Sequence, residues 1–378
     1  MRVGFGSTVL ARGVSSGGID GIGSYTRELG QALIDEDQAD INPVRFGSAC
    51  ADEVFVGSNE SICLGRFAPR AAIATVTGLP FTGNARFRER IDIFHSTDHL
   101  VPRLAGIPLV ATVMDAVPLS HPHWINQRLR ALKAWLWRRT TRWADHVITI
   151  SDFSKEQIIE HFGIEGSNIS VTPLGVSSRH FARLDDTKRR EVLTRYGLPG
   201  RFFLFVGTLQ PRKNLERVIE AHRSLPESMQ TECPLIVVGR AGWQCDELIG
   251  TLRHLELAGK ARWLQYLSGH EVQALMQSAE ALVFPSLYEG FGLPVVEAFA
   301  NRLPVITSNT TALPEVAGDA ALLVDPESAE EIGFSMQRLV EDQELAQTLR
   351  ERGVERAREL SWRACAERTS RIYAEVAG

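Results

Sequence analysis

The chain has 378 residues, 44% hydrophobic and 23% charged, with a formal net charge of −5. That is more chain than one hydrophobic core usually serves, so two domains are expected. The composition is that of an ordinary soluble globular protein, the charge balance gives no general attraction to nucleic acid, and no apolar run approaches the ~18 residues of a membrane span.

In chain order, the run Arg2–Phe5 predicts a first strand. The segment Met1–Gly6 lacks the apolar stretch of a secretory leader, so a cytoplasmic location is expected. A glycine loop, Ser15–Tyr25, and a helix over Ile22–Ile34 follow. Further strands are predicted at Ile91–Phe94, Leu109–Val113, His146–Ile150 and Ile169–Thr172, with helices over Trp124–Trp143 and Ser154–His161. A turn at Pro173–Gly175 opens polar sequence reaching about Pro199–Gly200, taken as the interdomain connection. The pattern restarts at Phe202–Val206 and continues with strands at Leu235–Val238, Ala281–Phe284, Val305–Thr307 and Leu322–Val324. Unbroken apolar runs are what parallel strands buried on both faces give. The expectation is two doubly wound α/β domains, residues 1–180 and 200–360, with chemistry in a cleft at the carboxyl ends of their strands. The charged stretch Glu344–Ala377 predicts helix, either a solvated surface helix or a functional one. Five scattered cysteines (Cys50, Cys63, Cys233, Cys245, Cys365) form no CxxC pair, which argues against a disulfide framework and a structural zinc site.

The most informative string runs from Pro285 to Glu297, Pro-Ser-Leu-Tyr-Glu-Gly-Phe-Gly-Leu-Pro-Val-Val-Glu. A strand ends, two glycines let the backbone bend, and Pro294 fits the first turn of a helix, where its missing N–H costs nothing. The free N–H groups of that turn make an anion site. Glu289 before the turn and Glu297 within the helix can accept hydrogen bonds from sugar or ribose hydroxyls; Glu297 alone could equally complement the helix dipole. In the second string, Val206–Leu215, a buried strand stops at Gly207 and Arg212-Lys213 stand at the start of the next helix. Two cations there oppose the dipole, which makes sense if a polyanion lies between them; the alternative is a solvated surface pair. The glycine loop containing Gly18 occupies the phosphate position of an open sheet but is not GxGxxG, so a flexible loop explains it as well and a dehydrogenase is disfavoured.

Glu289-Gly290-Phe291-Gly292 with Glu297 resembles the E-x7-E signature of the large retaining glycosyltransferase family 4, which has the GT-B fold. Gly207–Leu215, Ser308–Val316 and Gly318–Pro326 match further family segments; the glycine loop, Ile91–Ser96 and Ala144–Ser154 match more loosely. The resemblance implies that Arg212 and Lys213 hold a donor diphosphate, assisted by the helix N-terminus after Gly292. It implies that Glu297 binds the ribose, Glu289 the transferred sugar, Gly18 lets the first loop approach the donor, and Tyr266-Leu267 border the base. Gly207, Gly290, Phe291 and Leu293 lie in the same donor strings. The C-terminal helix, 361–378, commonly returns to the N-terminal domain in this fold. Two departures stand out. Met114-Asp115 replaces a frequent His-Asp, leaving Asp115 or His95 as the catalytic residues of the cleft beside Arg212, Lys213 and Glu289, or Asp115 as a turn cap and His95 as a core histidine. Arg302 stands where a small residue or Gly is usual.

The activity so implied is metal-independent hexosyl transfer with no cofactor. The single DxD, Asp35-Glu36-Asp37, ends a helix away from any strand and reads as a solvated cluster. The strings Val206–Leu215 and Val113–Leu119 look like the mannosyltransferase branch, favouring GDP-mannose, with UDP-glucose or UDP-N-acetylglucosamine as the alternative donors. Residues 128–143, basic with three tryptophans, suit an anionic membrane interface and hence a glycan or polyprenyl-diphosphate-linked acceptor on the inner membrane face; otherwise they form an ordinary amphipathic helix. A nucleotide-sugar epimerase of the same fold is the rival of another class, and a binding protein without turnover is a further one.

Overall fold

The computed structural model describes residues 1–16, 18–47, 55–81, 87–124 and 130–378. Gly17, Cys50, Arg128 and Leu129 lie outside the described residues, as do residues 125–127 of the helix expected from Trp124. The chain forms two compact units: Met1–Gly175 with Ser361–Gly378, and Val176–Leu360.

The first unit contains β1 (Arg2–Gly6), β2 (Asp40–Phe46), β3 (Ile62–Leu64), β4 (Ile93–Ser96), β5 (Leu109–Thr112), β6 (His146–Thr149) and β7 (Ile169–Val171). Among the described residues they make a parallel sheet in the order β3-β2-β1-β4-β5-β6-β7. β2 escapes a sequence reading because Asp-Ile-Asn-Pro-Val-Arg-Phe breaks the apolar run and Pro43 supplies no N–H. It nevertheless pairs in register with β1, Pro43 opposite Phe5, burying Asn42 and Arg45. Cys63 on β3 is disulfide-bonded, a correction to the expectation drawn from scattered cysteines, whereas Cys233, Cys245 and Cys365 are free and buried.

The C-terminal helix Trp362–Ala377 belongs to this first unit, where it packs on the helix Gly21–Asp35. A buried polar chain fastens it. Tyr373 Oη lies 2.6 Å from His95 Nδ1, His95 Nε2 lies 2.7 Å from Thr112 Oγ1, and Thr112 Oγ1 lies 2.8 Å from Tyr25 Oη. Each polar atom is satisfied without water, which makes its burial affordable.

The second unit contains β8 (Phe203–Val206), β9 (Leu235–Val238), β10 (Ala261–Leu264), β11 (Ala281–Phe284), β12 (Val305–Ser308) and β13 (Leu322–Val324). Their order is β10-β9-β8-β11-β12-β13, parallel throughout. Phe203, Phe205, Val237, Val283 and Ile306 anchor its core. The stretch taken for a connection is instead structured: the turn Ser178–Phe181 and the helix Asp186–Arg195, capped by Asp185 on Thr187 N–H at 2.7 Å, both belong to this unit. The chain winds from β8 outward through β9 to β10, then crosses to β11 on the other side of β8. The carboxyl ends of β8 and β11 therefore flank a topological switch point, where loops diverge and leave room for a ligand.

Candidate active site

Both charged strings meet at that switch point. After β8, Pro211–Lys213 form one turn of 3-10 helix, and Asn214 at φ +61° separates it from the helix Leu215–Ser224. Arg212 and Lys213 thus precede the helix instead of starting it, a correction to the expected placement. Asn214 is an apt hinge, since Asn tolerates the left-handed region better than most residues. Its amide donates to Pro285 O at 2.9 Å and Pro326 O at 2.6 Å, tying the cation loop to the loops after β11 and β13.

Arg212 Nη1 donates to Tyr288 O at 3.0 Å and to Glu289 Oε2 at 3.1 Å, and Lys213 Nζ donates to Glu289 Oε1. Lys213 also lies 4.8 Å from the centre of the Phe284 ring. The side chains of Glu289, Lys213 and Arg212 are 9%, 12% and 26% exposed, so these charges interact through little water. Burial alone would push the Glu289 carboxyl up; Lys213 and Arg212 outweigh it and hold it below the ordinary carboxylate range. Two cations against one carboxylate leave a net positive charge. Thr311, itself at φ +60°, accepts the Glu289 N–H at 3.3 Å.

Gly290 and Phe291 are buried, and Gly292 caps the helix Leu293–Ala300 at φ +106°. A Cβ at Gly292 would lie 2.7 Å from Leu313 Cδ2, so both conformation and space call for glycine. Glu297, one turn further along the helix, has its Oε1 3.9 Å from His180 Nε2. Gly207 ends β8, and a Cβ on Gly239, at the end of β9, would fall 1.9 Å from Gly207 O. Leu267 is buried, while the exposed Tyr266 carries the Arg240 guanidinium 4.6 Å from its ring centre.

The remaining candidates lie in the first unit. Gly18 N–H donates to Gly13 O at 3.0 Å. Asp115 Oδ1 accepts the Val117 N–H at 3.1 Å, as a turn cap does. His95 is corrected: it is fully buried on β4, both ring nitrogens are engaged, and burial depresses its pKa to about 3. It is a satisfied core histidine. Glu36 of the acidic cluster pairs with Arg363 at 3.4 Å.

The helix Arg130–Thr141 divides its tryptophan stretch. Trp137 packs edge-on against Phe162, ring centres 4.8 Å apart, and Trp143 against Phe81 at 6.4 Å, whereas Trp135 and Leu132 are exposed. The neighbouring helix Phe67–Thr77 exposes Ile73 and Val76, followed by Leu79. A shallow pocket lined by Thr75, Val76, Trp135, Arg138, Arg139 and Arg142 joins the two helices. Residues 66–79 and 130–143 contain Arg66, Arg70, Arg130, Lys133, Arg138, Arg139 and Arg142 but no acidic side chain. No helix among the described residues is long and apolar enough to cross a membrane.

Residues 19–180 match the family model described as Glycosyltransferase Family 4, and residues 193–356 match the one described as Glycosyl transferases group 1. Over 228 residues the chain is 35% identical to the O-antigen chain mannosyltransferase B of Escherichia coli, covering 60% of each. It is 30% identical to the serotype-specific mannosyltransferase WbdA of Escherichia coli, covering 58% of this chain and 27% of that one. The match thus spans less than two thirds of either relative's length. Among solved structures, Anabaena Alr3699/HepE in complex with UDP and glucose superposes with a TM-score of 0.73 at 16% identity, covering 99% of both chains. With a family model on each half and two parallel doubly wound sheets, the chain belongs to glycosyltransferase family 4 and has the GT-B fold.

Proposed function

We propose that the protein is a hexosyltransferase that moves mannose from GDP-mannose to a glycan or polyprenyl-diphosphate-linked acceptor in cell-surface polysaccharide synthesis. The observation that carries the donor site is the Arg212–Lys213–Glu289 cluster at the β8/β11 switch point, a net positive centre held in little water. Relatives named as O-antigen mannosyltransferases support the choice of sugar.

In the proposed reaction the bond from the anomeric carbon to the β-phosphate oxygen breaks and the acceptor oxygen bonds to that carbon on the same face. The acceptor proton passes to the departing phosphate oxygen, and GDP leaves. Arg212, Lys213 and first-turn N–H groups of the helix Leu293–Ala300 stabilise the charge developing on the phosphate, without a metal ion. Glu289 orients the sugar hydroxyls and Glu297 the ribose. The acid-free, apolar and basic face of helices Phe67–Thr77 and Arg130–Thr141 supports contact with the anionic inner face of the cytoplasmic membrane, where a lipid-linked acceptor would lie.

Incubation with labelled GDP-mannose or UDP-sugars, with and without a polyprenyl-linked acceptor, tests the assignment. Acceptor-dependent release of GDP is expected. Release from UDP-sugars alone overturns the donor, and a changed nucleotide sugar formed without acceptor marks an epimerase. Co-sedimentation with phosphatidylglycerol vesicles tests the membrane face: Arg138→Glu/Arg139→Glu should reduce it, and equal sedimentation counts against it.

A further inference from the structure

The cation loop after β8 and the segment after β9 are built against each other. A Cβ on Gly239 would fall 1.9 Å from Gly207 O and one on Gly242 2.2 Å from Leu209 O, so the two glycines let these segments touch backbone to backbone. Leu209 N–H donates to Arg240 O at 2.9 Å, and Leu209 pairs with Ala241 in a parallel bridge. From β10, the Trp263 indole donates to Gly239 O at 2.9 Å. The backbone of Arg240 is therefore held in fixed register to the turn that carries Arg212 and Lys213.

Its side chain is placed as well. Arg240 and Tyr266 follow the carboxyl ends of the neighbouring strands β9 and β10, and both are exposed. The Arg240 guanidinium lies 4.6 Å from the Tyr266 ring centre. The ring face attracts the cation and narrows the freedom of a long side chain without consuming its N–H groups as hydrogen-bond donors.

The strand order sets the direction of a bound nucleotide sugar. Along β10-β9-β8-β11, the cations Arg212 and Lys213 follow β8, and Glu289, assigned to the hexose, follows β11. With the diphosphate on the cations and the hexose toward β11, the nucleoside extends the other way, over β9 toward β10. At ~4.8 Å between strands, the end of β10 lies roughly 10 Å from that of β8, room for a ribose and a nucleobase.

We propose that Arg240 is a specificity-determining residue for the donor nucleobase: its N–H fork donates to O6 and N7 of guanine, and Tyr266 is the positioning residue that holds the fork. This rests on the donor-site reading above. Uracil offers only O4 on the comparable edge, and adenine sets an amino group beside N7, so neither accepts both bonds.

Arg240→Lys keeps the charge and loses the fork. Titration calorimetry should give the parent a clear preference for GDP over ADP and UDP. Arg240→Lys should weaken GDP by roughly 5- to 20-fold, the lower part of what a bidentate guanine contact is worth, and leave ADP and UDP within about 2-fold. Tyr266→Ala should weaken GDP by roughly 2- to 5-fold and Tyr266→Phe by less than about 2-fold. In an Arg240→Gln background, Tyr266→Ala should cost nothing further. Both side chains are exposed, so these changes leave the core untouched. A parent without preference for GDP, equal losses for all three nucleotides, or unchanged GDP affinity in Arg240→Lys would overturn Arg240 as the selector and leave the donor site standing. A Tyr266→Ala penalty that persists without Arg240 would mean that the ring meets the nucleobase itself, overturning its positioning role. GDP binding undisturbed by Arg212→Ala/Lys213→Ala would overturn the donor site and the proposal with it.

Discussion

Replacing Glu289 by Gln removes one charge from a cluster of three and keeps its shape. That carboxylate accepts from Arg212 at 3.1 Å and from Lys213, with side chains 9%, 26% and 12% exposed. At an effective dielectric near 20, one such pair is worth up to about 4 kcal/mol before desolvation is subtracted. Breaking a buried pair costs about 3–5 kcal/mol, and the partial exposure of Arg212 lets it rehydrate, so a loss of about 2–4 kcal/mol is expected. For a unit of this size that lowers Tm by roughly 4–16 °C. GDP supplies the missing negative charge, so it should raise the Tm of Glu289→Gln more than that of the parent, while turnover falls by about 10²–10³-fold because the sugar contact and the arrangement of the cations are lost. Differential scanning fluorimetry with and without GDP, beside a transfer assay, measures both. A variant that GDP stabilises less than the parent, or one that turns over normally, refutes the electrostatic account.

Three further outcomes are expected. Lys213→Ala should lower kcat by about 10²-fold or more with a smaller effect on donor affinity; steady-state kinetics with an unchanged kcat would remove Lys213 from the reaction. His95 titrates at about 3 in the fold against 6.5 in an unfolded chain, so its contribution is complete above pH 6.5 and is lost as pH falls toward 3. By pH 5 that loss is about 2 kcal/mol, visible in urea unfolding and absent from His95→Leu, which is less stable at neutral pH; an identical pH slope in the variant contradicts it. Arg302→Gly should raise Tm by roughly 1–3 °C, since Arg302 sits at φ +59° just past the end of a helix and glycine removes about 1 kcal/mol of strain, less some unfolded-state entropy. A lower Tm would show that the arginine side chain contributes more than its backbone costs.

What was legible in the sequence follows from how each signal arises. Central strands such as β8 and β11 are continuous apolar runs with the two donor strings directly after them, which made the strings legible; that Arg212, Lys213 and Glu289 share one site came from the family resemblance, because the crossover that sets β11 beside β8 is not written in chain order. Strand β2 was hidden by Pro43 and its buried polar residues, and β10 by Arg262 and Trp263. Asn214 and Gly239 act through the backbone, at a left-handed turn and at a close approach to Gly207, and neither is marked by residue type alone. The turn Ser178–Phe181 was missed because polar sequence was equated with a connection. The neighbours of its His180, Asn301 and Glu297, are more than a hundred residues away in the chain. His95 shows the reverse error: a histidine at a strand end suggests chemistry, but Tyr373, far along the chain, completes its hydrogen bonding. The unusual Arg302 became interpretable only once its positive φ was known.

The central claim, that the charges at the β8/β11 switch point bind and activate a nucleotide-sugar donor, is tested most directly by one transfer assay. Parent protein and Arg212→Ala/Lys213→Ala are compared with GDP-mannose and polyprenyl-linked acceptor in excess chelator. The parent should release GDP only when acceptor is present, undiminished by chelator, and the double variant should fall by at least about 10³-fold. Full turnover by the double variant, or turnover of the parent abolished by chelator, would contradict the account.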